Sequence, residues 1–327
     1  MKNILITGGT GFIGSNLAAV LVHQGYSVRI LRRASSDLFN VKTLPVEHYI
    51  GDVRDSESLR QAIRGCDTVF HTAAMVSFWR PFRALQQEIN VTGTRNVVEA
   101  CLGERVERLV YTSSIAAIGH PTNGELANEA TPFNWQNLDN GYKNSKHLAE
   151  KEVEKGLSQG LDAVMVNPAL VIGPGDIHFN GGKIIKSVAK HQALFYIKGG
   201  ANIVFVDDVV RGHIAAALRG RKGEKYILGG DNLTHKEIFQ ITAEIVGGIV
   251  PRIRMPVPLL RLAARSFDVA GRILGRELLI TSEMISGAGL RNWYSSEKAQ
   301  RELGYTITPF REAVKKTYDW YVQNHLL

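Results

Sequence analysis

The chain has 327 residues, of which 44% are hydrophobic and 21% charged, enough to build one large domain or two joined lobes. It lacks any run of about 18 apolar residues and starts with Met-Lys-Asn followed at once by a strand, so we expect no signal peptide, no membrane span and a cytoplasmic protein. The net charge of +8 comes from scattered lysines and arginines, which argues against nucleic-acid binding, and two isolated cysteines predict no metal site.

A glycine-rich turn near the start of the chain is the first functional signal. It follows an apolar run at 3–6 and precedes apolar residues at helical spacing over 12–23. Its sequence is Thr7-Gly8-Gly9-Thr10-Gly11-Phe12-Ile13-Gly14. Glycines let the backbone approach a pyrophosphate, and the start of the next helix offers it unpaired N–H groups. The pattern therefore predicts a dinucleotide site whose turn contains Gly8, Gly11 and Gly14.

The end of the second predicted strand, 27–32, bears on the choice of cofactor. Dinucleotide-binding folds often place an Asp or Glu here, bonded to the ribose 2′-hydroxyl. This chain has Arg32 and Arg33 instead. Guanidinium groups attract a 2′-phosphate, which a carboxylate would repel, so we predict NADP(H) as the favoured cofactor. Asp37 lies a few residues later and keeps NAD(H) open.

Further strands alternate with helices along the first half of the chain. They are expected near 46–50, 68–72, 108–112 and 161–167. This alternation predicts an α/β fold with a doubly wound parallel sheet of the Rossmann type. We expect residues 1–167 to form the NAD(P)-binding domain. Residues 168–327 are expected to form mainly a smaller substrate-binding lobe, with about 203–220 returning to the first domain.

Two polar residues at strand ends have different expected roles. Asp52 follows the third strand and is suited to accept a hydrogen bond from an adenine amino group. His71 lies within the fourth strand, where a histidine is more often packed than catalytic. We therefore expect His71 to be structural.

Tyr142 and Lys146 carry the strongest sign of catalysis. Residues four apart share one helical face, and an ammonium beside a phenol favours the phenolate, so we expect Lys146 to lower the pKa of Tyr142. Ser114 follows the strand at 108–112 and could donate a hydrogen bond to a substrate oxygen. Together the three residues predict proton transfer at an oxygen while a hydride moves at the attached carbon.

Seven motifs, in this order, give the chain a family resemblance. They are 7–14, Gly51-Asp52, His71-Thr72-Ala73-Ala74, 90–94, Tyr111-Thr112-Ser113-Ser114, 142–146 and Gly173-Pro174. On these motifs the chain resembles the extended short-chain dehydrogenase/reductases of the NAD-dependent epimerase/dehydratase type. The resemblance implies that Ser114 polarises the substrate oxygen, that Tyr142 is the acid/base, and that Lys146 holds the nicotinamide ribose. It also implies cofactor contacts at Phe12, Ile13, Asp52, Val53, Ala73, Ala74, Pro168 and Val171.

Within that superfamily the chain is most similar to the dihydroflavonol-reductase-like and hopanoid-associated-epimerase-like branch, on 28–33, 226–230 and 298–305. Many nucleotide-sugar epimerases carry Asn-Val-Tyr-Gly-Pro-Arg after the sixth strand, whereas this chain has Asn167-Pro168-Ala169 and lacks that Tyr and Arg. We therefore predict an NADP(H)-dependent oxidoreductase that reversibly reduces a small-molecule aldehyde or ketone. A sugar or nucleotide-sugar epimerase with tightly bound cofactor and a non-catalytic cofactor-sensing protein are the alternatives.

One later stretch, Leu259 to Leu279, is amphipathic, with arginines among leucines and alanines. A helix lying on a membrane surface would have this pattern, but a helical layer of the smaller lobe is the simpler interpretation. The helices beginning near Pro81 and Tyr142 resemble those that pair across a two-fold axis in the superfamily. We therefore expect a homodimer.

Overall fold

The computed structural model describes residues 1–121, 124–278 and 280–327, so the last residue of the predicted amphipathic stretch, Leu279, lies outside the described part. The strands are β1 (Asn3–Thr7), β2 (Ser27–Arg32), β3 (Glu47–Ile50), β4 (Thr68–His71), β5 (Arg108–Thr112), β6 (Ala163–Pro168), β7 (Leu170–Ile172), β8 (Phe195–Tyr196), β9 (Gly200–Phe205), β10 (Lys225–Leu228), β11 (Asp231–Thr234), β12 (Ile253–Arg254) and β13 (Arg291–Asn292). The α-helices are α1 (Phe12–His23), α2 (Ser56–Ile63), α3 (Arg83–Gln87), α4 (Gly93–Gly103), α5 (Gly141–Ser158), α6 (Lys183–Ala189), α7 (Val206–Arg219), α8 (His235–Val246), α9 (Val257–Leu274), α10 (Glu297–Leu303) and α11 (Phe310–Gln323).

The main sheet has seven strands in the order β3-β2-β1-β4-β5-β6-β10. Every neighbouring pair in it is parallel. The chain moves outward from β1 to β2 and β3, then returns to place β4 on the other side of β1. This reversal is the point at which such sheets bind ligands, beyond the carboxyl ends of the strands. The predicted Rossmann-type fold is confirmed.

Alternate residues of β1 show why the sheet is covered on both faces. Ile4 and Ile6 are fully buried in a cluster that also contains residues of α1 and α7. Leu5 is fully buried in a second cluster with residues of α2, α4 and α5. Successive strand residues point to opposite faces, so an unbroken apolar run is what a parallel sheet between two helical layers requires.

A second sheet is built around β9, which pairs with β7, β11 and β13. Phe205 from β9 and Tyr321 from α11 are buried in the same cluster as Ile4 of the main sheet, so the two sheets share a core. β10, which follows α7, is the seventh strand of the main sheet. The division into a cofactor-binding domain and a smaller lobe stays a prediction.

The helical stretch between residues 81 and 101 is divided rather than continuous. A 3-10 turn, Arg80–Phe82, leads into α3, and a π-helical segment, Glu88–Thr92, joins α3 to α4. Short π-helical segments often accompany functional sites, because the wider turn redirects side chains.

Within the described ranges, every helix is too short or too polar to span a lipid bilayer.

Candidate active site

Close backbone contacts shape the glycine turn. Gly8 has a φ of +69°, and a Cβ there would lie 2.7 Å from the Ala73 backbone. A Cβ on Gly14 would overlap the Gly8 carbonyl oxygen. Helix α1 begins after Gly11 with no side chain capping its first N–H groups. The turn is thus a cradle that any side chain would fill, with free donors beside it, and it fits a pyrophosphate.

A cleft of about 420 Å³ runs along the carboxyl ends of β1 to β4. The structure brings eight of the predicted cofactor residues together in its wall: Gly8, Gly11, Arg32, Arg33, Asp52, Val53, Ala73 and Ala74. The remaining predicted residues are not part of this wall: Phe12, Ile13, Gly14, Tyr142, Lys146, Pro168 and Val171. Lining residues to which the sequence gave no role at the cofactor are Thr10, Leu31, Ser36, Gly51, Thr72, Met75, Leu85 and Ile89. Contact of any of them with a cofactor stays a prediction.

The two arginines that follow β2 lie at one end of this cleft. Arg32 donates from Nε to His48 Nδ1 at 2.9 Å and from Nη1 to the Arg33 carbonyl at 3.3 Å. The Arg33 side chain is exposed, and its backbone N–H donates to Ser36 Oγ at 3.0 Å. Asp37, the carboxylate that kept NAD(H) open, does not line the cleft. This end of the cleft therefore presents two guanidinium groups and a hydroxyl.

Asp52 also lines the cleft, but its carboxylate already has a partner. Arg54 donates from Nε to Oδ1 at 3.0 Å and from Nη2 to Oδ2 at 2.9 Å. This forked pairing with Arg54 holds the pKa of Asp52 below its usual value. The expected hydrogen bond from adenine to Asp52 would have to share these oxygens. The sequence predicted no role for Arg54. Its position two residues after Asp52 could have indicated that the two side chains pair.

Ser114 and Tyr142 meet where β5 ends and α5 begins. Ser114 opens a 3-10 turn after β5, and its Oγ accepts the Ala116 N–H at 3.1 Å. Tyr142 lies in the first turn of α5, which Asn140 caps by accepting the Lys143 N–H at 3.0 Å. Burial raises the pKa of Tyr142, and the neighbouring Ser114 side chain opposes the rise. Two of the predicted catalytic side chains therefore lie near each other.

Lys146 lies one turn further along α5 and is buried. Its Nζ donates to the Thr112 carbonyl at 2.8 Å and lies 3.4 Å from the Tyr111 hydroxyl. Burial lowers the pKa of Lys146 to about 8. The expectation that Lys146 lowers the pKa of Tyr142 is wrong for this structure: burial of the phenol raises that pKa, while the ammonium is bonded to β5.

Asn90, in the π-helical segment, connects the cleft wall at Met75 to helix α5 through hydrogen bonds. Its Oδ1 accepts the Met75 N–H at 2.7 Å, and its Nδ2 donates to the Met75 carbonyl and to Ser145 Oγ, both at 3.0 Å. Met75 lines the cleft and Ser145 lies between Tyr142 and Lys146 on α5. Asn90 belongs to the 90–94 motif, but the sequence predicted no role for it.

His71 has both ring nitrogens occupied deep in the sheet. The Thr94 hydroxyl donates to the Asn90 carbonyl at 2.6 Å, so it accepts from His71 Nε2 at 3.0 Å. The other nitrogen, Nδ1, then accepts from the Thr7 hydroxyl at 2.7 Å. Burial lowers the pKa of His71 to about 3, so the ring is neutral. The structural role expected for His71 agrees with these contacts.

A buried carboxylate forms hydrogen bonds with residues at the ends of β5 and β6 and with Lys225 of β10. Glu150, only 1% exposed, accepts from Ser113 Oγ at 2.6 Å and from Asn167 Nδ2 at 2.7 Å through one oxygen. Its other oxygen accepts from Lys225 Nζ at 2.6 Å. Asn167 in turn donates to the Ser114 carbonyl at 3.0 Å. The network fixes the backbone that carries Ser114, and no pattern in the sequence predicted it.

The fold and this site define an NAD(P)-binding protein of the extended short-chain dehydrogenase/reductase type. The family model described as "NAD dependent epimerase/dehydratase family" matches residues 4–229, and the chain belongs to that family. The predicted family is thereby confirmed, and the chain is an enzyme that uses a nicotinamide cofactor in an oxidoreductase or epimerase role.

Full-length relatives and a solved structure agree with this assignment. The chain is 37% identical to a Synechocystis sp. protein named "Putative dihydroflavonol 4-reductase", over 98% of this chain and 94% of the relative. It is 31% identical to "Sterol demethylase protein B" of Methylococcus capsulatus, over 99% of both chains. The crystal structure of gox2253 superposes with a TM-score of 0.87 at 37% identity, over 99% of each chain.

Proposed function

We propose that this protein is an NADP(H)-dependent reductase of aldehydes or ketones, reversible to alcohol oxidation. The observation that carries the proposal is that the Tyr142 phenol lies beside Ser114, while Lys146 from the next turn of the same helix donates to the Thr112 carbonyl at 2.8 Å. A proton donor, a second hydroxyl and a fixed positive charge are what a carbonyl oxygen needs as it becomes an alkoxide.

The glycine turn, Arg32, Arg33 and the Ala73-Ala74 backbone would hold the dinucleotide. When bound, its nicotinamide supplies the hydride that reduces the substrate carbon, or accepts that hydride in the reverse reaction. The neighbouring side chains would shield this transfer from water: Phe78 packs edge-on against Tyr142, with ring centroids 5.7 Å apart.

Tyr142 acts as the acid in the reductive direction. Because burial raises its pKa, the phenol is protonated at neutral pH and has a proton to donate to the carbonyl oxygen. The Ser114 hydroxyl donates a second hydrogen bond to the same oxygen. The Lys146 ammonium, with a pKa of about 8, is largely charged at neutral pH and, from its place beside the Thr112 carbonyl, would hold the nicotinamide ribose.

The charges at the adenosine end of the cleft support NADP(H) over NAD(H). Arg32 and Arg33 line that end, Arg54 neutralises the Asp52 carboxylate, and Asp37 lies outside the lining. A 2′-phosphate would therefore meet guanidinium groups without facing an unpaired carboxylate.

The named relatives favour reduction over epimerisation. The relatives at 37% and 31% identity carry the words reductase and demethylase, and the chain lacks the Tyr and Arg of the nucleotide-sugar epimerase motif after β6. We propose a substrate with a carbonyl on an apolar skeleton, because Phe78 is the ring that packs beside Tyr142.

The test is a panel of carbonyl compounds, from simple aldehydes to flavonoid and sterol ketones, incubated with NADPH and in parallel with NADH. We expect steady NADPH consumption with one class of ketone or aldehyde, and slower consumption of NADH. An epimerase would convert a sugar substrate without net consumption of added NADPH, and a cofactor-sensing protein would bind NADPH without turnover. Either result would reject the proposal.

A further inference from the structure

Helix α9 has a second apolar face that points away from the protein. Three of its 18 residues are buried, Leu260, Ala264 and Gly271, and these form the inner face. The outer face consists of Leu259, Leu262, Val269 and Ile273, which are 57%, 63%, 59% and 80% exposed. These four residues recur at helical spacing, so they form one continuous stripe. An ordinary surface helix turns such a stripe inward.

Arginines border the outer face along one side. Arg261, Arg265 and Arg272 are spaced by four and seven residues, so they share a helix face, and all three are exposed. Across the described ranges, none of the three has a carboxylate oxygen within salt-bridge distance, whereas Arg54 and Arg83 are both paired.

The acidic groups near α9 are turned toward the protein. The Asp268 carboxylate accepts the Ser282 N–H at 3.2 Å, and Glu277 accepts from Ser77 Oγ at 3.2 Å. The outer face therefore combines large apolar side chains with positive charge. That is the pattern of a helix that lies in the plane of an interface, with its apolar side in the acyl region and its arginines at the headgroups.

We propose that α9 docks this protein on a membrane surface containing anionic lipids. Charge decides between a bilayer and a second copy of the chain. An antiparallel two-fold contact through the outer face would bring Arg261, Arg265 and Arg272 against their own copies, and like charges at an interface oppose association. A parallel contact would set them against the other flank of α9, which offers no carboxylate. Anionic headgroups instead complement them. The proposal stands independently of the reaction proposed above.

The inner face of α9 and the segment that follows the helix contact residues beside the candidate active site. Thr281, shortly after α9, donates from Oγ1 to the Phe78 carbonyl at 2.6 Å, and Phe78 packs on Tyr142. A Cβ on Gly271 of the inner face would lie 3.6 Å from Trp79 Nε1. Docking through α9 would therefore hold this side of the site close to the lipid surface.

The experiment is flotation of the purified full-length protein with vesicles at physiological salt. One set of vesicles is phosphatidylcholine alone, and the other contains phosphatidylcholine with phosphatidylglycerol. We expect the wild type to float with the anionic vesicles and much less with the neutral ones. The Leu262→Gln/Ile273→Gln double variant should lose flotation with both.

An Arg265→Gln/Arg272→Gln double variant separates the electrostatic contribution to membrane binding from the apolar one. Each arginine near an anionic surface contributes about a fivefold gain in binding, so this variant should bind anionic vesicles roughly 30-fold more weakly and neutral ones unchanged. Leu218→Gln, at a leucine that is 57% exposed on α7, is the matched control and should float like the wild type. Thermal melting of each variant checks that the fold is intact.

Three outcomes would overturn the proposal. One is a wild type that stays at the bottom of the gradient with both vesicle types. Another is flotation that Leu262→Gln/Ile273→Gln does not change. The third is a dimer in sedimentation velocity that this same double variant converts to monomer, which would assign the outer face to a second copy.

Discussion

Where the cleft reaches β2 and β3, the proposed adenosine end of the site, charges are held near solvent. Around Ser114, Tyr142 and Lys146, the proposed catalytic end, they are held by burial. Arg54 and Asp52 pair through two hydrogen bonds while their side chains remain 37% and 25% exposed. Lys146, in contrast, is only 3% exposed and is bonded to a backbone carbonyl. Solvent screens the first kind of charge, so its contribution falls with salt. Burial shifts the pKa of the second kind, so its contribution depends on pH.

The two ends of the site should therefore respond to different perturbations. Substitutions at the catalytic end should change turnover and the pH dependence of stability. Substitutions at the adenosine end should change cofactor affinity by small, salt-dependent factors. The glycine turn lies beside the adenosine end, but its conformation depends on close backbone packing. Substitution there should therefore lower the stability of the fold as well as cofactor affinity.

Removing the Tyr142 hydroxyl should have the largest effect. Without its proton donor, Tyr142→Phe should lose roughly 10²- to 10⁴-fold in kcat, while NADPH affinity stays close to wild type. Turnover is measured by NADPH oxidation and affinity by fluorescence titration. Tyr318→Phe on α11 is the control. If Tyr142→Phe kept more than about a tenth of the wild-type rate, the phenol would not be the acid.

A methyl group on Gly14 should disturb the turn on which the dinucleotide rests. Because the added Cβ would overlap the Gly8 carbonyl oxygen, Gly14→Ala should lower the free energy of unfolding by about 1–3 kcal/mol and weaken NADPH binding. Denaturant unfolding and cofactor titration measure the two effects.

Gly103→Ala, at the end of α4, is the matched control for Gly14→Ala. A Cβ there meets no atom within 4 Å, so stability should be unchanged or slightly higher. Equal effects of the two alanines would show that close packing at Gly14 does not hold the turn.

Lys143 offers a test of burial at the catalytic end through pH. Burial lowers its pKa to about 7, and its ammonium lies 3.0 Å from the centroid of the Trp135 ring. Between that pH and the ordinary lysine pKa the unfolded chain binds more protons than the folded chain, so stability rises with pH across this window. Lys143 contributes at most about 1.4 kcal/mol per pH unit to that rise, and the ring face reduces it by favouring the charged form.

Lys143→Met should therefore flatten the rise of stability between pH 7 and pH 10. The measurement is urea unfolding of wild type and variant at several pH values. Lys151→Met is the control on the same helix, since the Lys151 side chain is 49% exposed. Parallel pH curves for wild type and Lys143→Met would contradict the burial of this ammonium.

The smallest effect is expected at the exposed end of the cleft. Arg33→Ala should weaken NADPH binding by about fivefold to tenfold and leave NADH binding unchanged, because only NADPH carries a 2′-phosphate. The difference should shrink as salt is raised. Titration of both cofactors at two salt concentrations measures it, with Arg60→Ala on α2 as control. An equal loss for both cofactors would remove the assignment of Arg33 to the phosphate.

Local patterns in the sequence were sufficient to locate the glycine turn and the helix that carries Tyr142 and Lys146. A strand, three glycines and a helix follow one another directly, and Tyr142 and Lys146 share a face because they are four residues apart. The parallel sheet followed from the alternation of elements, and the fold prediction is confirmed.

Contacts between residues far apart in the sequence could not be predicted from local patterns. Lys146 bonds the carbonyl of Thr112, 34 residues earlier, and Glu150 bonds Lys225, 75 residues later. The raised pKa of Tyr142 depends on burial, which spacing does not report. The amphipathic pattern of α9 likewise showed two faces without showing that Leu260 lies inward and Ile273 outward.

The most direct test of the central claim uses NADPH deuterated at its transferable hydrogen, with a carbonyl compound identified by the substrate panel. Mass spectrometry of the product follows the label. The account predicts one deuterium on the carbinol carbon of the alcohol for each NADPH consumed. An alcohol without the label, or an isomerised substrate with no NADPH consumed, would contradict it.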